Sequence, residues 1–140
     1  MFEAKLDVVC ITTNAFVRKD GRLVMGRGAA YEATKRFPNC DRVFGSMVNS
    51  HLCAYGILIH PDRGSPILAA FQVKTHWADL ADLTLIEKSV TVLDRLARRD
   101  WKHLKVGLNF PGIGNGGLKE VDVLPLLKRL PDNVSVWKLT

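Results

Sequence analysis

Two glycine-rich loops and one lysine stand at the ends of strand-like segments, and together they have the chemistry of a phosphate site. The first loop, Gly26-Arg27-Gly28, opens the helical stretch Ala29 to Phe37. The second, Gly112-Ile113-Gly114-Asn115-Gly116-Gly117, follows the apolar run Val106 to Phe110. Glycine lets backbone N–H groups approach a ligand closely. A helix N-terminus adds unpaired donors and a positive dipole. Two such loops on one sheet would cradle a diphosphate. Lys74 ends the apolar run Ile67 to Val73. A lysine beside other cations and partly desolvated loses its proton and becomes a nucleophile. Arg27 is a candidate for the neighbouring cation. A lysine after a strand is ordinarily just solvated, so its case rests on the two loops. His76 and Trp77 follow; Trp77 could stack on a base or ribose, or pack in the core.

Other motifs fail on chemistry. Gly21 and Gly26 have P-loop spacing, but Arg27-Gly28 stands where a P-loop needs Lys and then Ser or Thr, so no hydroxyl would hold Mg²⁺. The second loop contains GxGxxG between a strand and a helix. Only one strand follows it, so no second half of a dinucleotide-binding fold can form. Cys10, Cys40 and Cys53 are odd in number and form no CxxC, which suggests neither a disulfide framework nor zinc. His51, His60, His76 and His103 lack ligand spacing, so neither a metal nor another cofactor is expected. Asn133-Val134-Ser135 fits a glycosylation sequon.

The elements that must position these residues alternate. Leu6 to Thr13 reads as a strand buried on both faces. Asn14 to Met25 is a longer connection, and Ala29 to Phe37 a short helix ended by Pro38-Asn39. Val43 to Val48 fits either class. Tyr55 to His60 and Ile67 to Val73 form a hairpin around Pro61-Asp62-Arg63-Gly64. Leu83, Ile86, Val90, Leu93 and Ala97 mark one buried stripe of a helix from about Asp82 to Arg99. Asp79 and Asp82 suit its N-terminal dipole. Lys105 to Phe110 is a strand, Leu118 to Leu130 a helix interrupted by Pro125, and Val134 to Leu139 a last strand. This order predicts an α/β fold with a mixed sheet, in which ligands sit at the carboxyl ends of strands. Asn14, Lys74 and the second loop share that placement.

With 140 residues and 47% hydrophobic content, a single domain over 1–140 with a real core is expected. The apolar runs fall short of the roughly 20 residues of a membrane span, and Met1 to Asp7 has no signal-peptide core. The expected setting is the cytoplasm. A net charge of +6 favours anionic partners. The densest basic group, Arg95, Arg98, Arg99, Lys102 and Lys105, reads as a solvated helix face or as a DNA-facing patch.

Four segments together resemble the macro domain family: Ile11-Thr12-Thr13-Asn14, Val24 to Ala30 (VMGRGAA), Phe71 to Trp77 (FQVKTHW) and Gly112 to Leu118 (GIGNGGL). The likeness is to the branch containing terminal ADP-ribose protein glycohydrolase and the DarG-type antitoxins. It implies a three-layer α/β/α sandwich, lacking the usual first strand and the early loop with the adenine-binding acid. It also implies an ADP-ribose pocket. Asn14 would hold the distal ribose; Gly26, Arg27 and Gly28 would line the diphosphate from one side. Gly112, Ile113, Gly114, Asn115, Gly116 and Gly117 would hold it from the other, with His76 nearby. Lys74 matches the branch's catalytic lysine, which implies a hydrolase freeing ADP-ribose from a DNA base or a protein through a ring-opened Schiff base. Gly116 stands where the protein glycohydrolase has an Asp, which makes the DNA-type antitoxin the nearer model. The segment from Phe16 to Leu23 would cover the pocket. The alternatives are a non-catalytic reader or sponge of ADP-ribose or a related nucleotide, and a phosphatase acting on ADP-ribose phosphate.

Overall fold

The computed structural model describes residues 1–48, 54–62 and 64–138. His51, Cys53, Arg63 and Leu139 lie outside the described residues. Val8–Thr13 forms strand β1, an apolar and β-branched run nearly buried throughout. Ala29–Arg36 (α1) and Cys40–Val48 (α2) follow. The undecided stretch Val43 to Val48 is therefore helical, with Cys40, Phe44 and Val48 on its buried side. Ile57–Ile59 (β2) and Ile67–Gln72 (β3) make the expected antiparallel hairpin. Leu83–Arg98 (α3) then leads to Val106–Asn109 (β4). Gly114–Gly116 is a single 3₁₀ turn, followed by Glu120–Leu127 (α4) and Val134–Trp137 (β5). Pro125 lies inside α4, which is shorter than the apolar pattern at both ends.

The five strands form one mixed sheet in the order β2-β3-β1-β4-β5. β3, β1, β4 and β5 are parallel, with Val8 opposite Ile67 through to Thr13 opposite Gln72. Alternation along β1 separates two cores. Val8 and Cys10 join Phe71, Leu108, Ile86, Val90 and Leu93 under α3 and α4. Val9 and Ile11 join Leu68, Ala70, Ala33 and Phe44 under α1 and α2. Helices on both faces make the three-layer α/β/α sandwich. Each fully buried Leu, Ile or Phe contributes about 1.5–3 kcal/mol, so the two clusters rather than surface pairs hold the layers.

Two polar residues inside these cores lock the site's scaffold. Ser89 interrupts the apolar stripe of α3 and donates to the carbonyls of Gln72 at 2.7 Å and Gly56 at 3.1 Å. Gln72 is fully buried; its Oε1 accepts from Tyr55 N–H at 2.8 Å, and its Nε2 donates to the Lys74 carbonyl at 3.3 Å. The strand end carrying Lys74 is thus tied to α3 and to the β2 entrance. Asn133 of the sequon faces inward, with Nδ2 donating to the carbonyls of Ala97, Trp101 and Leu104.

The segment expected to cover the pocket does something else. Val17 and Leu23 bridge to close a small hairpin. Leu23 N–H donates to the Asp41 carbonyl at 2.9 Å and Arg22 pairs with Asp41 at 2.9 Å, which holds the hairpin against α2. Apolar burial of Leu23 sets that position.

Candidate functional site

A cleft of about 650 Å³ opens at the carboxyl ends of β1, β3 and β4. Its origin is visible in the ladder. Pairing between β1 and β4 stops at Cys10 opposite Leu108. Beyond it the Asn109 side chain takes over: Oδ1 accepts from Thr12 N–H at 2.9 Å and Nδ2 donates to Thr12 Oγ1 at 2.8 Å. The strands part there without leaving a buried donor unmatched. Thr12 and Asn109 both line the cleft, and the sequence reading missed them. The signal was available, since an Asn inside an otherwise apolar strand needs a partner.

One wall is the first loop. Asn14, almost fully buried at the end of β1, donates through Nδ2 to the Val24 carbonyl at 2.8 Å and accepts from Phe16 N–H at 3.0 Å. Those bonds fasten the chain leading into Gly26-Arg27-Gly28. They leave Asn14 one amide N–H and one lone pair for a ligand. Tyr55 supports the same strand end: its hydroxyl donates to the Asn14 carbonyl at 2.6 Å and lies 2.5 Å from Thr13 Oγ1. With its single proton committed to that carbonyl, the Tyr55 oxygen is the acceptor for Thr13. Burial pushes the Tyr55 hydroxyl well above the usual tyrosine range, which keeps that proton in place. Gly28 precedes α1, whose N-terminus has no side-chain cap. Arg27 lines the cleft, exposed, and makes no ion pair or hydrogen bond with a described residue.

The opposite wall is the second loop. Gly114 begins the 3₁₀ turn with φ +65°, and this turn too has no side-chain cap. The first N–H groups of α1 and of this turn therefore lack intrahelical partners, and Gly28, Ala29, Gly114 and Asn115 at these starts line the cleft. The contrast with α3 is informative: Asp82 caps it, accepting from Thr84 N–H at 2.8 Å. The start of α4 is also uncapped, with Glu120 and Asp122 in its first turn to answer its dipole, whereas the one acid in the first turn of α1, Glu32, is paired with Lys35 and Arg36. The glycines divide by what a Cβ would meet. At Gly26, Gly28 and Gly114 it would find open space. At Gly112, Gly116 and Gly117 it would strike Ile86 and Leu118, Ala81, or Leu80. The first three suit ligand approach; the others let the loop pack on α3's entrance.

Lys74 lies on the third side, partly buried, between the two loops. Its Nζ donates to the carbonyls of Trp77 at 3.0 Å and Asp79 at 3.3 Å. The loop that carries these carbonyls is closed by His76 N–H donating to Asp79 Oδ2 at 3.3 Å and by Ala78 N–H donating to His76 Nδ1 at 3.0 Å. Trp77 lines the cleft and is 52% exposed, which removes the core reading and leaves a free aromatic face. Asp79 lines it as well, whereas Asp82 alone caps α3.

Of the residues expected at the site, Asn14, Gly26, Arg27, Gly28, Lys74, Gly112, Ile113, Gly114, Asn115 and Gly116 line this one cleft. His76 and Gly117 do not. The His76 ring packs edge-on against Phe16 at 4.6 Å and tilts against Trp77 at 5.3 Å, so it supports the wall from behind. Gly117 adopts φ +75° to end the turn and meets Leu80. Among the described residues, no group of three or more His, Cys, Asp or Glu side chains could hold a metal ion.

No protein-family model matches the chain, and no curated protein matches it in sequence. Solved structures do. The macrodomain of Mycobacterium tuberculosis DarG aligns with a TM-score of 0.75 at 22% identity, over 98% of this chain and 91% of that one. The macrodomain of Thermus aquaticus DarG gives 0.75 at 23% identity, over 99% and 92%. Thermosipho africanus DarTG in complex with ADP-ribose gives 0.79 at 21% identity, over 99% of this chain and 39% of that one. The chain has the macrodomain fold, in the form seen in DarG macrodomains.

Proposed function

We propose that the cleft binds ADP-ribose and that Lys74 removes ADP-ribose from a modified DNA base or a protein carboxylate ester. The observation that carries this reading is the meeting of three features in one cleft. These are the uncapped start of α1, the uncapped Gly114 turn and the Lys74 amine. Two sets of free N–H groups on opposite walls suit a diphosphate better than a single phosphate. A cleft of about 650 Å³ falls in the range of small-molecule sites. A structure of the same fold, from Thermosipho africanus, is a complex with ADP-ribose.

In this reading Gly26, Arg27 and Gly28 hold one side of the diphosphate, and Gly114 and Asn115 the other. Asn14 offers its remaining donor to a ribose hydroxyl, and Trp77 offers a face to the base or modified group. Lys74 Nζ attacks the anomeric carbon, and the bond to the modified group breaks with its electron pair leaving on that group. The ring opens to a Schiff base, which water hydrolyses to free ADP-ribose and the amine. The partners are ADP-ribose or an ADP-ribosylated macromolecule, with DNA contact one form of this, and the cytoplasm is the setting we take for it. No helix among the described residues is long and apolar enough to cross a membrane.

The second reading is a reader or sponge that binds without turnover. It is favoured by the two carbonyls to which Nζ donates, which hold the amine to its own 77–79 loop. Turnover of an ADP-ribosylated oligonucleotide and of a glutamate-linked ADP-ribosyl peptide separates the two. The hydrolase reading expects release by the native protein and none by Lys74→Ala, with ADP-ribose affinity within a few-fold. Release that survives in Lys74→Ala would remove the lysine mechanism, and binding without release of either substrate would leave the reader.

A further inference from the structure

Three charged side chains line the cleft: Arg27, Lys74 and Asp79. We infer that Asp79 is the acid–base group of this cleft, taking the proton Lys74 must lose before attack and returning it to the departing group. The inference rests on the reading of Lys74 as nucleophile.

Asp79 is the sole carboxylate among the described residues lining the cleft. Its own main-chain oxygen accepts from Lys74 Nζ at 3.3 Å, so residue and amine occupy the same corner. One carboxylate oxygen, Oδ2, accepts from His76 N–H, which fixes the group's direction. The other, Oδ1, has no partner among the described residues, and the carboxylate is not in an ion pair with Lys74. No carboxylate oxygen of Asp79 lies within 4.0 Å of Lys74 Nζ, so the proton passes between them by way of one water, the longest reach such exchange allows. Nor is Asp79 needed for the helix that follows, because Asp82 already caps it. The charged and titratable groups around Asp79 are Lys74 at the end of β3, Arg27 on the facing wall, and His76 and Asp82 on its own segment.

The steps balance. The Lys74 ammonium gives one proton to the Asp79 carboxylate. The amine pair bonds to the anomeric carbon as the bond to the modified group breaks, and Asp79 protonates that group. The ring oxygen takes one of the nitrogen's protons as its bond to the anomeric carbon opens, giving the Schiff base. Asp79 then takes a proton from water as the water oxygen bonds to carbon and the C=N pair moves to nitrogen. That proton returns to nitrogen as the C–N bond breaks, and the hydroxyl proton leaves to water as the aldehyde forms.

The test uses free ADP-ribose, whose open-chain aldehyde can form the same Schiff base, with cyanoborohydride to reduce it to a stable amine on the protein. Intact mass and peptide mapping follow the adduct in the native protein, Asp79→Asn, Asp79→Glu and Lys74→Ala, the last giving the background from surface lysines. Asparagine keeps an acceptor for His76 N–H and loses only basicity. Calorimetry with ADP-ribose runs beside it. The expected result is an adduct on Lys74, formed about 100-fold more slowly in Asp79→Asn at unchanged affinity and partly restored in Asp79→Glu. Equal rates in the native protein and Asp79→Asn would overturn the role of Asp79 alone. Loss of affinity in Asp79→Asn would reassign it to binding and overturn the role as well. No Lys74 adduct in the native protein would overturn the nucleophile and the inference together.

Discussion

Gly114→Glu sets a negative charge against the proposed diphosphate, and its consequence can be worked from the loop. Gly114 has φ +65°, and a Cβ there would meet nothing within 4 Å, so any side chain has room to extend into the cleft. A residue other than glycine in this conformation costs about 1 kcal/mol, a fall of about 4 °C in Tm. The charge adds a separate effect on binding. At about 5 Å and an effective dielectric of about 20, one carboxylate and one phosphate charge repel by about 3 kcal/mol, or roughly 150-fold in affinity. Gly114→Gln carries the same backbone cost and nearly the same bulk without the charge. Calorimetric titration with ADP-ribose should therefore show Gly114→Glu weaker than Gly114→Gln by about two orders of magnitude at low salt. The gap should narrow at about 1 M salt, where screening acts within about 3 Å. Equal Tm losses should accompany both variants. Equal affinities for the two, or a Gly114→Glu that binds like the native protein, would refute a diphosphate at this loop.

Three further perturbations test the scaffold. Asn109→Leu leaves Thr12 N–H without its acceptor at the floor of the cleft and should cost about 1–3 kcal/mol in urea unfolding; a neutral result would mean the strand ends re-pair without it. Gly45→Ala sets a Cβ against the Gly21 carbonyl and Leu23 N, backbone atoms that cannot yield, so the hairpin over α2 should loosen at a cost of about 1–3 kcal/mol. Unchanged stability and unchanged proteolysis of the hairpin would contradict that packing. Burial raises the Cys10 thiol from 9.0 to about 12. The folded state then holds the thiol's proton more tightly than the unfolded chain. Its contribution is whole below pH 9 and is lost as pH rises through 12, so urea midpoints should fall across that window, less steeply in Cys10→Val. Parallel curves for the two proteins would remove Cys10 as the cause.

Much of this was legible where one residue type has one physical use. The apolar and β-branched run of β1 required cover on both faces, and the stripe from Leu83 to Ala97 required a helix. Glycines after strands marked the two loops, though not which glycines face a ligand. Gly114 and Gly117 are the same letter with φ +65° and +75°, yet only one meets open space, because Leu80 arrives from a distant part of the chain. Asp79 and Asp82 were equally good dipole partners in sequence; the cap belongs to Asp82, and Asp79 is among the residues lining the cleft. His76 stood beside Lys74 in the chain, but contact with Phe16 draws its ring behind the wall. Thr12 and Asn109 meet across 97 positions, a pairing that only the sheet order creates.

The most direct test of the central claim is a ¹H–¹⁵N NMR titration of the protein with ADP-ribose. The account predicts shifts for the amides of 26–29, 74–79 and 113–116, with residues 99–105 at the far end of the sheet unmoved. Saturating ADP-ribose with no shift at these loops, or with shifts confined elsewhere, would contradict it.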